Sequence, residues 1–305
     1  WGGDRGVYVD AGSDYNTLAQ STVSGAGYGL YLTGADSNTV TDSFITGAGT
    51  SGVWLTAGSD NNVIRLSTMS STAGTAFFAT IADSNTVTQS FLYGNTALQL
   101  DSSADYNTIS LSTMIGNTNY GLYAIGASSN LLPQNYFWGS NGGAVLDSNS
   151  RYNAIRLSTM IGSASNGLLA TAADFNTVTQ SVMRGGLSGV SMQTGADFNL
   201  IFLSTAISNS VGNPAIEIVN GSSNSIIRSY VQGSTAVYIS GSTGTNIGGS
   251  VLIATNTAGT ALGLFDGSRS LTLSSSTLSG GALGFGLQLG LGNSGLVRVS
   301  TNIFL

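Results

Sequence analysis

Apolar residues recur along this chain in short alternating runs, and the pattern repeats every 22 to 25 residues. Each repeat holds an asparagine, taken as position 0, with an aliphatic residue at +2 and an apolar residue at +7. A third alternating run precedes the next asparagine, as in residues 29–32 (GLYL). Alternation with a period of two predicts short strands that bury one face. A unit this short cannot bury its own core, so the units are predicted to stack as coils of a solenoid.

Three strands and three turns in about 23 residues predict an all-β parallel β-helix of about 13 coils. Its coils would lie about 4.8 Å apart, the distance between paired strands, and parallel crossovers favour a right-handed path. Because the repeat runs nearly end to end, residues 1–305 are predicted to form a single domain. Its first coil is partial, and its C-terminal coils, at about 247–305, are degenerate.

The repeated asparagines predict a ladder of side chains that hydrogen-bond from coil to coil at one turn and hold the register. Ser270 and Gly295 take the same place in two degenerate units. The predicted ladder residues are Asn16, Asn38, Asn62, Asn85, Asn107, Asn130, Asn153, Asn176, Asn199, Asn224 and Asn246.

The repeat, with segments such as residues 83–90 (DSNTVTQS), resembles that of right-handed parallel β-helix repeat proteins. That superfold includes pectate lyases, polygalacturonases and phage tailspikes, and this chain is most similar to its secreted bacterial repeat or fibre type. The resemblance covers almost the whole chain and implies the fold. It implies no single activity, because one superfold hosts many functions.

Charge and composition exclude several kinds of chemistry. Charged residues make up 7 % of the chain, the net charge is −6, all eight basic residues are arginines, and histidine and cysteine are absent. Nucleic-acid binding needs basic clusters, so it is not expected. Catalysis by a histidine-containing triad, a lysine base or a thiolate is excluded. No cofactor is predicted, and no apolar run is long enough to span a membrane.

Aspartates provide two candidate sites. Asp14, Asp36, Asp60, Asp83 and Asp105 lie two residues before the ladder asparagine in consecutive coils. Each either caps its turn by accepting backbone N–H groups, or the file collects Ca²⁺, which prefers oxygen ligands. Asp101 and Asp147 share another position two coils apart, a spacing compatible with an inverting glycosidase pair. Ordinary surface aspartates at strand ends are the alternative.

Aromatic residues form rows on the predicted outer surface. The main row is predicted on the third strand and comprises Tyr8, Tyr31, Trp54, Phe77 and Tyr123. A second row, including Tyr15 and Phe175, directly precedes the ladder asparagine. Positions +4 and +6 alternate over two coils, with Leu66 and Leu111 at +4 and Phe44 and Phe91 at +6. This alternation reflects either duplication or a surface motif that recurs about every 9.6 Å.

These observations favour a non-catalytic structural protein at the cell surface or outside the cell. It would self-assemble into a fibre or surface layer, end to end or side by side, through its open ends and aromatic rows, because a soluble monomer avoids large apolar patches. The alternative is a β-helix that binds or cleaves polysaccharide. Ice binding is a third interpretation, suggested by pairs such as Thr86 and Thr88, but Arg65, Pro133 and Arg156 interrupt any flat threonine array.

Overall fold

The computed structural model describes residues 3–291, 293 and 297–305. The described residues form strands and turns without a helix, and they therefore include no helix that is long and apolar enough to cross a membrane. By internal contacts the chain divides into two compact units, Trp1–Ala154 and Ile155–Leu305, and each is described by itself. The strands follow in threes along the chain, and each coil contributes one strand to each of three parallel sheets, A, B and C. The predicted β-helix with three strands per coil is confirmed.

In the first unit the strands of sheet A are β1 (Arg5–Val9), β4 (Tyr28–Thr33), β7 (Ser51–Thr56), β10 (Thr75–Thr80), β13 (Thr96–Asp101), β16 (Tyr120–Ile125) and β19 (Gly142–Asp147). Those of sheet B are β2 (Thr17–Ala19), β5 (Thr39–Thr41), β8 (Val63–Arg65), β11 (Thr86–Thr88), β14 (Thr108–Ser110) and β17 (Leu131–Pro133). Those of sheet C are β3 (Thr22–Gly25), β6 (Phe44–Gly47), β9 (Thr68–Ser71), β12 (Phe91–Gly94), β15 (Thr113–Gly116) and β18 (Tyr136–Gly139). Strand β20 (Ala154–Arg156) includes the boundary between the units.

In the second unit the strands of sheet A are β22 (Asn166–Thr171), β25 (Val190–Gln193), β28 (Pro214–Val219), β31 (Thr235–Ser240), β34 (Leu262–Phe265) and β37 (Leu287–Leu289). Those of sheet B are β23 (Thr177–Thr179), β26 (Leu200–Phe202), β29 (Ser225–Ile227), β32 (Asn246–Gly248), β35 (Leu271–Ser274) and β38 (Val297–Ser300). Those of sheet C are β21 (Thr159–Gly162), β24 (Val182–Gly185), β27 (Thr205–Ser208), β30 (Tyr230–Gly233), β33 (Val251–Ala254), β36 (Thr277–Ser279) and β39 (Ile303–Phe304).

The core lies between the three sheets and is built from alternate residues of each strand. Leu30, Leu32, Val53 and Leu55 of sheet A are buried, as the alternation predicts. Gly47 ends β6 at a close approach between the backbones at the turn from sheet C to sheet A. A Cβ on Gly47 would lie 1.8 Å from the carbonyl oxygen of Ser51, so a larger side chain cannot fit there.

The asparagines at position 0 are buried beyond the first coil and bond from one coil to the next. The amide oxygen of Asn107 accepts the backbone N–H of Asn85 at 2.8 Å, and its amide nitrogen donates to the carbonyl of Ala82 at 3.1 Å. The same oxygen-to-backbone bond links Asn16 through to Asn153 in the first unit, and Asn176 through Asn199 to Asn224 in the second.

Two of the predicted ladder positions, Asn246 and Ser270, differ from the prediction. Asn246 pairs with Ser225, the residue after Asn224, so Thr245 takes the ladder place and Asn246 lies one residue beyond it. Ser270 is exposed, with a φ of 58°, and precedes the buried Leu271. Both assignments were wrong by one residue, because the interval after Asn224 is shorter and its ladder residue is not asparagine. Gly295 lies outside the described residues.

Candidate functional site

The outer face of sheet A in the first unit carries the main aromatic row. Tyr8, Tyr31 and Trp54 are register partners on β1, β4 and β7, as predicted. The prediction for Phe77 was wrong. Phe77 is 1 % exposed and pairs with Val53 and Leu98 on the inner face.

Phe78 is the outward residue of β10, and it pairs with Trp54. The row continues through Gln99 to Tyr123. The assignment failed because the 23-residue interval that separates Tyr8, Tyr31 and Trp54 leads to Phe77, whereas the register partner of Trp54 lies 24 residues after it. The turn between β7 and β8 has one more residue than the turn after β10.

The rings of this row contact one another rather than standing apart. Tyr28, at the start of β4, stacks on Trp54 with ring centroids 5.1 Å apart, and Phe78 stacks on Trp54 at 5.5 Å. Tyr31 meets Trp54 edge-on at 5.1 Å and lies 5.5 Å from Tyr8. Trp54 therefore has stacked neighbours on both sides, and the row is a packed cluster rather than a set of separate open ring faces.

Two charged residues, Arg5 and Asp10, contact the rings at the β1 end of the row. The Arg5 guanidinium lies 4.6 Å from the ring centroid of Tyr8 and 4.5 Å from that of Tyr31, within cation–π range. The Tyr8 hydroxyl donates to Asp10 Oδ1 at 2.9 Å. This bond and partial burial raise the pKa of Tyr8, whereas the N–H of Ala11 and the Tyr8 hydroxyl lower the pKa of Asp10. Arg5, Tyr8, Tyr28, Tyr31, Trp54 and Phe78 are called the aromatic surface below.

Sequence reasoning missed Tyr28, Phe78 and Arg5 as members of this surface. Arg5 and Tyr28 are register partners three residues before Tyr8 and Tyr31. The available signal was this shared spacing, which places both residues beside the row on neighbouring strands.

Tyr123 lies between two carboxylates on the same sheet. Asp101 and Asp147 pair with Ile125 from opposite sides, two coils apart, which is the relation predicted for them. Burial raises the pKa of Tyr123, and the charge of Asp147 raises it further. Asp147 accepts the N–H of Ser148 at 2.7 Å, and Asp101 accepts the hydroxyl of Ser102 at 2.9 Å. Burial and the Asp147 charge both disfavour the charged tyrosinate form of Tyr123, as its raised pKa reflects.

The aspartate file forms hydrogen bonds between coils. Asp60 Oδ1 accepts the backbone N–H of Asp83 at 2.7 Å, and Asp83 in turn accepts that of Asp105 at 2.8 Å. Asp14, Asp36 and Asp105 accept in the same way from the next coil. Burial, together with the charges of Asp83 and Asp36, raises the pKa of Asp60 against the lowering effect of the Asp83 N–H.

In the part of the chain that the structure describes, no three His, Cys, Asp or Glu side chains converge to hold a metal ion. Each aspartate of the file caps the backbone of the following coil rather than that of its own turn.

The second aromatic row is also present. Tyr15, Tyr106, Phe175 and Phe198 are exposed, and each has a φ between 55° and 59°. In the second unit, Phe175 and Phe198 stack with centroids 4.8 Å apart and ring planes 4° apart. These rings come from turns, whereas the aromatic surface is built on strands.

Solved structures share this fold at low sequence identity. The A-module of the mannuronan C-5 epimerase AlgE6 from Azotobacter vinelandii is 14 % identical, with a TM-score of 0.50, and the match covers 100 % of this chain and 91 % of that one. A double mutant of the periplasmic alginate epimerase AlgG is 10 % identical, with a TM-score of 0.59 over 93 % and 77 %. Tailspike protein 3 of bacteriophage CBA120 is 11 % identical, with a TM-score of 0.59 over 95 % and 56 %. No curated protein sequence matches the chain.

One family model matches the chain, over residues 1–153 and again over 67–212, and it is described as "Periplasmic copper-binding protein (NosD)". The donor set of this chain does not fit copper. Copper sites in proteins use imidazole, thiolate and thioether ligands, and the sequence has no histidine and no cysteine. Its methionine side chains are buried in the apolar core: Met69, Met114, Met160, Met183 and Met192.

The fold is thus the right-handed parallel β-helix that the sequence pattern and its resemblance predicted. The two family matches overlap and together cover more than half of the chain. This chain belongs to the NosD family of periplasmic β-helix proteins.

Proposed function

We propose that this protein is a polysaccharide-binding β-helix that acts outside the cytoplasm, and that the aromatic surface contacts the glycan. The single observation that carries the proposal is the connected ring cluster with Arg5 at its end, on four consecutive strands of one sheet. A rigid cluster of this kind loses little conformational entropy on binding. Two structures that share the fold are named for epimerases of mannuronan and alginate, which supports the ligand class.

The chemistry of the surface suits binding rather than turnover. Tyrosine hydroxyls and the Arg5 guanidinium can donate hydrogen bonds to sugar oxygens, while the ring edges contact C–H groups. The Asp101, Tyr123 and Asp147 group has no histidine or lysine beside it, because the chain contains neither. We therefore propose a non-catalytic protein that needs no cofactor.

Self-assembly into an extracellular fibre or cell-surface layer is the second candidate. It is favoured by the same cluster, because Trp54 has stacked neighbours on both sides and little ring face is left for a sugar. Aromatic clusters also anchor protein interfaces. A copy of the same chain would then cover the aromatic surface.

One set of variants separates these candidates. Tyr31→Ser/Trp54→Ser/Phe78→Ser removes the rings but keeps the inward residues of the same strands. Tyr93→Ser is the matched control, because Tyr93 is an exposed ring on sheet C of the same unit. Binding to a panel of insoluble neutral and acidic polysaccharides is measured by co-sedimentation, and self-association by analytical ultracentrifugation.

Glycan binding predicts that the triple variant stays folded and loses co-sedimentation at least tenfold, whereas Tyr93→Ser binds normally. Loss of self-association with unchanged glycan binding would establish assembly instead. Release of reducing ends or unsaturated products, abolished by Asp101→Asn or Asp147→Asn, would contradict a non-catalytic role.

A further inference from the structure

A second repetitive surface follows the corner between sheets B and C in the first unit. At this corner one residue per coil, at +4, has a positive φ, and the side chain at +6 points outward on sheet C. Two shallow depressions lie there, bounded by side chains at +4 and +6 of neighbouring coils. The corner groove is defined here by Phe44, Leu66, Thr68, Gln89, Phe91 and Leu111.

Polar and apolar side chains alternate between the two sides of this groove. One coil has Leu66 at +4 with Thr68 at +6, and the next has Gln89 at +4 with Phe91 at +6. The apolar side chain therefore changes sides with every coil, and the whole pattern repeats every two coils. Phe44, Leu66, Phe91 and Leu111 are 46 %, 48 %, 41 % and 51 % exposed, so these groups are open to a partner.

The backbone conformation at this corner does not favour leucine. Leu66 and Leu111 both have a φ of 51°, in the left-handed region. Glycine and asparagine adopt this conformation with less steric strain than a bulky side chain does. Neither burial nor local backbone preference therefore accounts for the apolar side chains of Leu66 and Leu111.

We propose that the corner groove binds an extended, uncharged 1,4-linked pyranose polysaccharide in which alternate sugars are rotated by half a turn. This inference rests on the proposed function and adds a second contact surface to it. One sugar of such a chain advances by nearly the distance between coils, about 4.8 Å. Neighbouring sugars of such a chain present their less polar sides in opposite directions. A groove whose apolar side chains change sides with every coil therefore matches the alternation of the sugars.

The charges at the groove favour a neutral ligand. Asp42 lies at +4 in the coil of Phe44, and Arg65 directly precedes Leu66, so one acid and one base offset each other. The remaining side chains of the groove are amides, hydroxyls and hydrocarbons. Amides and hydroxyls can donate to and accept from sugar hydroxyls, and leucine and phenylalanine cover C–H groups.

The test uses Leu66→Asn/Leu111→Asn in the full chain. Asparagine tolerates a positive φ, so this variant should fold at least as well as the parent. Ile81→Asn is the matched control, because Ile81 is 57 % exposed with a φ of 49° at a different corner of the same unit. Isothermal titration calorimetry is run with β-1,4-linked gluco- and manno-oligosaccharides of two to six sugars, and with an acidic oligosaccharide of matching length.

We expect the affinity of the parent chain to rise with oligosaccharide length, and the double leucine variant to lose at least tenfold for the hexasaccharide. Ile81→Asn should bind like the parent, and the acidic ligand should bind more weakly. Full affinity in the double leucine variant, together with lost affinity in Tyr31→Ser/Trp54→Ser/Phe78→Ser, would overturn the corner site and support the aromatic surface as the binding site. A parent that binds no glycan would overturn both. A double variant that changes only the sedimentation coefficient would assign the groove to a second copy of the chain.

Discussion

Buried asparagine side chains satisfy two kinds of backbone group at once. The Asn107 oxygen accepts an N–H from the coil before it, and its nitrogen donates to a carbonyl near the same turn. Both backbone groups are shielded from water at a corner where no strand ladder reaches them. An amide is suited to this place because it both donates and accepts without carrying a charge.

Replacing Asn107 with alanine should lower the free energy of unfolding by about 1–3 kcal/mol, because it leaves the buried N–H of Asn85 without its acceptor. Asn246→Ala is the control, since Asn246 lies one residue beyond the ladder place. Chemical denaturation monitored by circular dichroism measures both. Equal losses in the two variants would contradict the placement of Asn246, and no loss in Asn107→Ala would contradict the role of the bond.

The ladder was predictable because the same residue type returns at a nearly fixed interval. The corners were not. Positive φ values occur at Leu66, Gln89 and Tyr106, residue types that carry no turn signal. Stacking on the neighbouring coils fixes the backbone there, and this tertiary constraint overrides local preference.

At the scale of the strand, one residue of register decides which side of the sheet a ring faces. Strand β10 carries two adjacent phenylalanines, so either could have faced outward. The structure buries Phe77 against Val53 and Leu98 and places Phe78 beside Trp54. Ala76 and Ala79 of this strand are both buried although they lie three residues apart, so together they do not indicate one phase of alternation.

Phe77→Ser and Phe78→Ser should therefore have opposite consequences. Removing the buried ring of Phe77 should cost about 3–5 kcal/mol, as expected for loss of a large core side chain. Removing Phe78 should cost about 1 kcal/mol, the scale of one cross-strand aromatic pair. Thermal unfolding of the two variants measures the difference. A larger loss for Phe78→Ser would show that β10 has the opposite phase.

Much of the aromatic surface could be read from the sequence, because alternation marks outward positions strand by strand. Tyr8, Tyr31 and Trp54 were found in this way. The contacts of Tyr28 and Arg5 were not found, because they depend on side chains reaching across to the next strand. Alternation gives the side of a sheet and says nothing about how far a side chain leans along it.

For the molecule as a whole, low charge and the absence of histidine and cysteine limit which metal ions the chain can bind. A chain without histidine or cysteine cannot offer the imidazole and thiolate ligands that copper prefers. Among its carboxylates, each of the five aspartates of the file already accepts a backbone N–H. The raised pKa of Asp60 follows chiefly from burial, with added repulsion from neighbouring carboxylates.

Metal addition should accordingly leave the stability of this chain almost unchanged. An ion that binds only the native state raises its stability by an amount that grows with the logarithm of ion concentration over Kd. To bind, Ca²⁺ would have to use carboxylates whose Oδ1 atoms already bond the next coil at Asp36, Asp60 and Asp83. Copper would find only buried thioethers and hard oxygens. Melting temperatures with millimolar Ca²⁺, with Cu²⁺, and with Cu⁺ under reducing conditions should agree with those in chelator to within about a degree. An ion that did bind, at a tenfold excess over its Kd, would add about 1.4 kcal/mol to the free energy of unfolding and so give a clear rise. A rise that EDTA reverses and that Asp60→Asn abolishes would show a calcium ladder along the aspartate file. A rise with Cu⁺ alone would show instead that the core methionines become accessible.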